Sequence, residues 1–296
     1  MHTSNHPADH GELEKEKMIM KKIIAIALSA LMILGCLAGC GASGKDAGMT
    51  TVAPGKLTVA ISPDFAPMEF VDTEGNFAGF DVKLAQFIAD EMGLELVIAP
   101  MSFDACQTAV SMGTVDMSIS GYSWTEKRAA NYNLSDWYHA GENEDNQTLI
   151  CLAENAGKFT TPESLAGLKV GAQGASLQEE LVKDQLPNCE LIPVADLNTA
   201  IMQLQNGDFD VLAVAEGNGK AIIANNPQIA MAGFFFEVDE KYTDNLILMQ
   251  KGNDALTALV NEILAKSEEH WEAWYAEAQA TAGIDVSYDD EGNVIE

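Results

Sequence analysis

Residues 118–128 read SISGYSWTEKR. Ser120, Gly121, Ser123 and Thr125 are small or hydroxylated, and the run ends on Arg128. Hydroxyls and the backbone around a glycine can exchange hydrogen bonds with a ligand at close range. A guanidinium offers a planar fork of donors that fits a carboxylate with two parallel bonds. The chemistry this suggests is capture of a small carboxylic acid. A blander reading fits the same residues, with Thr125 as a helix N-cap and Glu126, Lys127 and Arg128 as an exposed first turn. The local sequence leaves both open.

The surrounding elements decide where the run would sit. Val115, Met117 and Ile119 alternate with polar residues as a strand does, so the run begins at a strand end. Phe80, Leu84, Phe87, Ile88 and Met92 recur at helical spacing behind Asp81, a candidate N-cap, and Gly93 can end that helix. A strand at 94–98 and a helix over 103–112 follow. The order helix, Gly113, two residues, Asp116 and apolar strand then recurs after a helix at 197–206, as Gly207 and Asp210. The short strands at 56–60 and 168–172 also look alike. Strands alternating with such helices predict βαβ units. Finding the unit twice predicts two α/β lobes, each a mainly parallel sheet flanked by helices. Ligands of open α/β sheets sit beyond the carboxyl ends of strands, here in a cleft between the lobes. Residues 120–128 reach that place from the first lobe. From the second come residues 172–176, with Ser176 as candidate N-cap of a helix over 177–185, and residues 215–218.

Composition excludes several partners. Of the 296 residues, 45 are Asp or Glu and 16 are Lys or Arg, a net charge of −29. Phosphate binding needs a basic face, so no nucleic acid is expected, nor direct docking on an anionic bilayer. Cys106, Cys151 and Cys189 stand singly and read as small core residues. Beyond the N-terminal region only His139 and His270 occur, so no metal site and no cofactor are expected. From Met20 the chain reads MKKIIAIALSALMILGCLAGC, with Lys21 and Lys22 ahead of an apolar run that is short for a membrane span. That is the order of a secretory signal. Its end, Leu37-Ala38-Gly39-Cys40, resembles a bacterial lipobox, which implies cleavage before Cys40 and a lipid on its sulfur. Residues 1–19 hold four acids and three His, wrong for a signal's charged start, so Met18 or Met20 is the expected first residue. Residues 41–55 are small, polar and without periodicity, as in a flexible tether.

From about Lys56 to Ala282 the chain resembles the bacterial extracellular solute-binding proteins of family 3, which serve polar amino-acid uptake. The stretches that carry the resemblance are 62–70 (SPDFAPMEF), 79–85 (GFDVKLA), Phe103-Asp104, 116–128, 134–138 (LSDWY), 164–171 (SLAGLKVG) and 207–214. The resemblance implies a type II periplasmic-binding-protein fold, with two lobes joined by two crossing segments and closing on a ligand. It implies that Arg128 clamps the α-carboxylate, that Ser123 serves carboxylate and amino group, and that the Gly121 carbonyl accepts from the amino group. Ser120 starts the same loop. Phe65 and Phe103 would flank the ligand side chain, and Ser176 and Leu177 would reach the carboxylate from the second lobe. The family commonly has an Asp for the ammonium where this chain has Ala215. Glu216 is the next acid in sequence. Either a local turn brings Glu216 into the cleft, or the ligand is an amino-acid relative recognised differently. Asp64 and Glu69 read equally as selectors of a cationic side chain or as surface acids.

The expected organisation is a leader and lipoprotein signal over 1–39, a lipidated Cys40 and tether over 40–55, and the first lobe over 56–143. A second lobe over 144–235, a return to the first over 236–283 and an acidic tail over 284–296 complete it. The expected protein is a monomeric amino-acid receptor. It would be anchored by its lipid on the outer face of the cytoplasmic membrane and would serve an ABC permease. The alternative is a cleft enzyme of the same fold, similar to cyclic-acid dehydratases and using Glu216. Two lipid chains attach a protein stably where one does so only marginally. Mass spectrometry of the mature N-terminus should therefore find a diacylated Cys40. A free, unmodified N-terminus at another residue would refute the anchor.

Overall fold

The computed structural model describes residues 51–139, 146–239, 242 and 244–284, and the backbone of 287–288 and 294–295. Cys40, the signal and most of the tether lie outside the described residues. The chain runs β1 (Lys56–Ile61), β2 (Asp64–Phe65), β3 (Glu69–Val71), β4 (Phe77–Ala78), α1 (Phe80–Met92), β5 (Glu95–Pro100), α2 (Phe103–Met112), β6 (Met117–Ser123), α3 (Glu126–Asn131) and β7 (Tyr132–Leu134). It continues through β8 (Gln147–Leu152), β9 (Lys169–Gln173), α4 (Leu177–Gln185), β10 (Glu190–Val194), α5 (Leu197–Asn206), β11 (Val211–Ala215), α6 (Glu216–Asn225) and β12 (Ile229–Phe235). It ends with β13 (Asn245–Gln250), α7 (Asp254–Ser267), α8 (Trp271–Thr281) and a small ladder of β14 (Ser287–Tyr288) with β15 (Val294–Ile295).

Two five-stranded sheets result, in the orders β5-β1-β6-β13-β7 and β10-β9-β11-β8-β12. Each is mixed rather than mainly parallel. In the first, β5, β1 and β6 run parallel, and β13 and β7 join antiparallel. The second repeats the pattern with β10, β9 and β11 parallel and β8 and β12 antiparallel. The alternation of strand and helix accounts for the parallel half of each sheet. Strands β8 and β13 follow the crossings between the sheets, and β7 and β12 follow α3 and α6 yet pair antiparallel at the sheet edges, so the alternation rule does not fix the direction of these four.

The repeated Asp has the same task in both halves. Asp116 Oδ2 accepts the Thr58 N–H at 2.7 Å, and the Asp116 N–H returns to the Thr58 carbonyl at 2.9 Å. Asp210 Oδ2 accepts the Lys169 N–H at 2.8 Å, and its own N–H bonds the Lys169 carbonyl at 2.9 Å. Each carboxylate thus pins the start of a central strand to the loop entering its neighbour. Asp116 also takes the Val52 N–H at 2.7 Å, so contact with the fold begins ahead of Lys56, inside the expected tether.

Apolar spacing places the helices. Leu84 and Ile88 of α1 are fully buried beside Leu57, Val59 and Ile61 of β1. Burying one such side chain stabilises by about 1.5–3 kcal/mol. Gly93, Gly113 and Gly207 end their helices in the left-handed conformation, as read from the sequence. Cys106 and Cys151 are buried and Cys189 partly so, all three unpaired. Met112, by contrast, is 70% exposed at the end of α2.

Asp81 is not an N-cap. Helix α1 starts one residue earlier, and its first N–H groups find backbone partners instead. Phe80 donates to the Pro67 carbonyl at 3.1 Å and Asp81 to that of Met68 at 2.8 Å. Gly79 permits this approach. Its φ is 117°, and a Cβ there would overlap the Met68 and Pro67 carbonyls. Gly79→Ala adds that overlap to backbone strain of about 1–3 kcal/mol. At about 2–4 °C per kcal/mol for this size, its melting point should fall by at least about 5 °C. Gly75→Ala, at φ 88° with open space around it, should fall less. Equal losses in a thermal melt would refute the role of close approach.

Candidate functional site

The two sheets meet across a cleft. The first crossing segment, residues 135–146, leads from β7 to β8; the second, 236–244, leads from β12 to β13. The first segment bridges the start of β13, where the Tyr138 N–H reaches the Asn245 carbonyl at 3.0 Å. Tyr138 is buried beside Phe80, as hinge packing would require, whereas Trp137 is 44% exposed.

Eight of the nine residues singled out in the sequence line one pocket in this cleft: Phe65, Phe103, Ser120, Gly121, Ser123, Arg128, Ser176 and Leu177. The ninth, Glu216, does not. It opens α6, and its carboxylate accepts from Asn146 Nδ2 at 2.7 Å and pairs with Lys220 one turn on. No local turn redirects it. Ala215 is the last residue of β11 and the N-cap of α6, so helix geometry aims Glu216 along the helix surface.

Both readings of the 118–128 run hold together. The Thr125 hydroxyl caps α3 by accepting the Arg128 N–H at 3.1 Å. Yet Arg128 is only 4% exposed, because α3 turns inward over the pocket. Its Nη1 donates to the Ser123 carbonyl at 2.6 Å and its Nη2 to the Ala175 carbonyl, across the cleft, at 3.0 Å. The guanidinium carbon stands 5.1 Å from the Tyr122 ring centre and 5.5 Å from that of Phe103. Aromatic faces stabilise a cation that has left water. Ala175 has a left-handed φ of 62°, uncommon without glycine, and its carbonyl also accepts from Gln107 Nε2 at 3.3 Å. Strain of this kind marks functional loops.

The pocket loop is shaped by a bulge. Between Ser118 and Tyr122, three residues of β6 face one of β13, with Gly121 at φ 54°. Ser176 caps α4 through the Glu179 N–H at 3.1 Å, and its hydroxyl hydrogen remains a donor.

Sequence reasoning missed Gln178, placed Gln173 at the cleft only as part of the 172–176 stretch, and left Asp64 and Glu69 undecided. Asp64 accepts from Gln173 Nε2 at 2.9 Å and from the Leu197 N–H at 2.7 Å, both across the cleft, and from the Ser62 hydroxyl at 3.0 Å. Glu69 is 1% exposed and accepts from Ser120 Oγ. Behind it lies Asp81, fully buried, whose Oδ2 accepts the Gly121 N–H at 2.9 Å and the Tyr138 hydroxyl at 3.1 Å. The signal for Glu69 was its place on a strand between buried Met68 and Phe70. That for Asp81 was its place one residue into a helix whose neighbours are core. The cavity left by these contacts is about 20 Å³, room for little more than a water. An amino acid can enter only if the halves part.

Family membership is now plain. Bacterial extracellular solute-binding proteins, family 3, match this chain over residues 57–277, and the chain belongs to that family. A probable histidine-binding protein of Campylobacter jejuni is 28% identical over 67% of this chain and 78% of its own. The arginine-binding extracellular protein ArtP of Bacillus subtilis is 26% identical over 86% and 95%. Among solved structures, the amino acid ABC transporter substrate-binding protein AbpA of Streptococcus pneumoniae, bound to L-arginine, is 32% identical. It superposes with a TM-score of 0.70, covering 77% of this chain and 96% of its own. The fold is that of the type II periplasmic binding proteins.

Burial governs the titration of the three acids. It pushes Asp64 up to about 6, raises Asp81, and raises Glu69 well above the usual range, where the Asp81 charge adds to the effect. Each holds its proton more tightly folded than unfolded, where carboxyls titrate near 4. Protonation therefore favours the fold, and stability should rise as pH falls from about 7 toward 4. The melting point should be higher at pH 5 than at pH 7.5, and Asp81→Asn should shrink that difference. An unchanged difference in the variant would mean that Asp81 is ionised throughout.

Proposed function

We propose that this protein is the receptor of an ABC importer and takes up an amino acid with a basic side chain, of the arginine and histidine kind. The observation that carries the reading is a buried guanidinium in an interlobe pocket whose other charged groups are acids. Arg128 would exchange its carbonyl partners for the ligand α-carboxylate, with Ser123 and Ser176 as further donors. Phe65 and Phe103 would flank the side chain. Asp64 and Glu69 favour a cationic ligand over an acidic one. The relatives and the arginine-bound neighbour support the same class of ligand. Contacts from Arg128, Gln107 and Asp64 across the cleft would be broken on opening and remade on closing. Cys40 would carry the lipid that holds the receptor on the outer face of the cytoplasmic membrane, beside its permease. The enzyme alternative has no support at the site, since the carboxylate it relied on, Glu216, lies off the pocket, and the family consists of solute-binding proteins.

A thermal-shift screen of the twenty amino acids tests the reading, since ligand at 100 times its Kd adds about 2.7 kcal/mol. L-arginine or L-histidine should give the largest shift. Arg128→Ala should then weaken binding by at least about thirtyfold in calorimetry, because truncating one partner of a buried charge pair costs about 2–5 kcal/mol. Arg128→Lys should also bind poorly, a point charge being no substitute for the fork. An Arg128→Ala affinity within about threefold of the parent would sink the clamp.

A further inference from the structure

Two acids line the pocket, Asp64 and Glu69, with four carboxylate oxygens between them. Three already have donors. Asp64 Oδ1 accepts from Ser62, Asp64 Oδ2 from Gln173 and Leu197, and Glu69 Oε1 from Ser120. Glu69 Oε2 accepts from none of these; it is buried and faces Asp81. Asp81 Oδ1, behind it, has no other donor either, and the two carboxyls hydrogen-bond each other, which requires one proton between them. A buried acceptor left unmade is costly, and one ionised carboxylate beside another is more so. Ser120, which holds Glu69, and Ser123, whose carbonyl holds Arg128, lie on one bulged loop. A group on Glu69 and a carboxylate on Arg128 would thus belong to one small ligand.

We propose that Glu69 receives the α-amino group of the amino acid, supplying from the first lobe the counter-charge that Ala215 lacks. The inference rests on the amino-acid receptor reading. It also adds a property to it. Two buried carboxyls cannot both ionise readily, so the Glu69 and Asp81 pair retains a proton when the cleft is free of ligand. The titratable groups facing the pair are Asp64, Tyr122 and Tyr138, and the Arg128 cation acts on Tyr122. An arriving ammonium favours the anionic pair. The O–H bond breaks, the proton leaves to solvent, and the ammonium takes its place, with no change of oxidation state. Ligand binding releases a proton and weakens as the medium acidifies below neutrality.

Calorimetry with L-arginine in buffers of different ionisation enthalpy should report that release in the parent. L-histidine replaces it as probe if the thermal screen prefers histidine. Glu69→Gln should abolish the release and weaken the amino acid by at least about tenfold. The 2-hydroxy analogue of the same ligand, which keeps the carboxylate and side chain, should bind weakly to the parent without proton release. It should be unaffected by Glu69→Gln. Equal loss of both ligands in the variant, or an amino-acid affinity within about threefold of the parent, overturns the assignment while leaving the receptor reading intact. A parent that binds none of the twenty amino acids ends both.

Discussion

A guanidinium removed from water is the constraint on which this cleft depends. Burying an unpaired charge costs several kcal/mol, so Arg128 must be satisfied whether or not a ligand is present. The protein meets the demand with two carbonyls and two aromatic faces, and one of the carbonyls belongs to the opposite half. The contact therefore ties the two halves together across the cleft. In the proposed role, a ligand carboxylate would displace carbonyls from Arg128, because a charged acceptor bonds a cation more strongly than a neutral one does. Exchange of partners, rather than creation of a new site, would then join closure and recognition in one event.

The acid side of the pocket follows from backbone packing. Gly79 lets the start of α1 press against the Pro67 and Met68 carbonyls, and this sets Asp81 directly behind Glu69. Asp81 then fastens Gly121 of the pocket loop and Tyr138 of the first crossing segment to the same carboxyl. Site, loop and hinge share one buried atom.

Much of this was legible in the chain. Helix ends followed from Gly93, Gly113 and Gly207, and caps from Thr125 and Ser176, because those rules are local. The duplicated Gly-to-Asp spacing announced two equivalent halves, and its cause is the paired pinning by Asp116 and Asp210. The site loop was legible mainly through the resemblance, since Thr125 and Arg128 alone fitted a solvent-exposed turn equally well. Asp81 misled, because a carboxylate at a helix start looks the same whether it caps that helix or serves a distant loop. Glu216 misled for the opposite reason. Nearness in sequence to Ala215 said nothing of direction, and α6, which begins at Glu216, aims the side chain along its own surface. The acid pair at Glu69 and Asp81 is non-local, joined by contacts that no spacing rule encodes.

The strand order has a consequence for how the chain is made. Strand β13 lies between β6 and β7, and among the described residues β7 pairs in the sheet with β13 alone. The whole second sheet, built from residues 147–235, is synthesised before β13 exists. A chain emerging from its N-terminus can complete its second half while β6 of the first still presents an open edge. Unpaired edges invite pairing with other chains. The last strand added is the one that seals the half begun first, and premature folding would leave that edge exposed for the longest time.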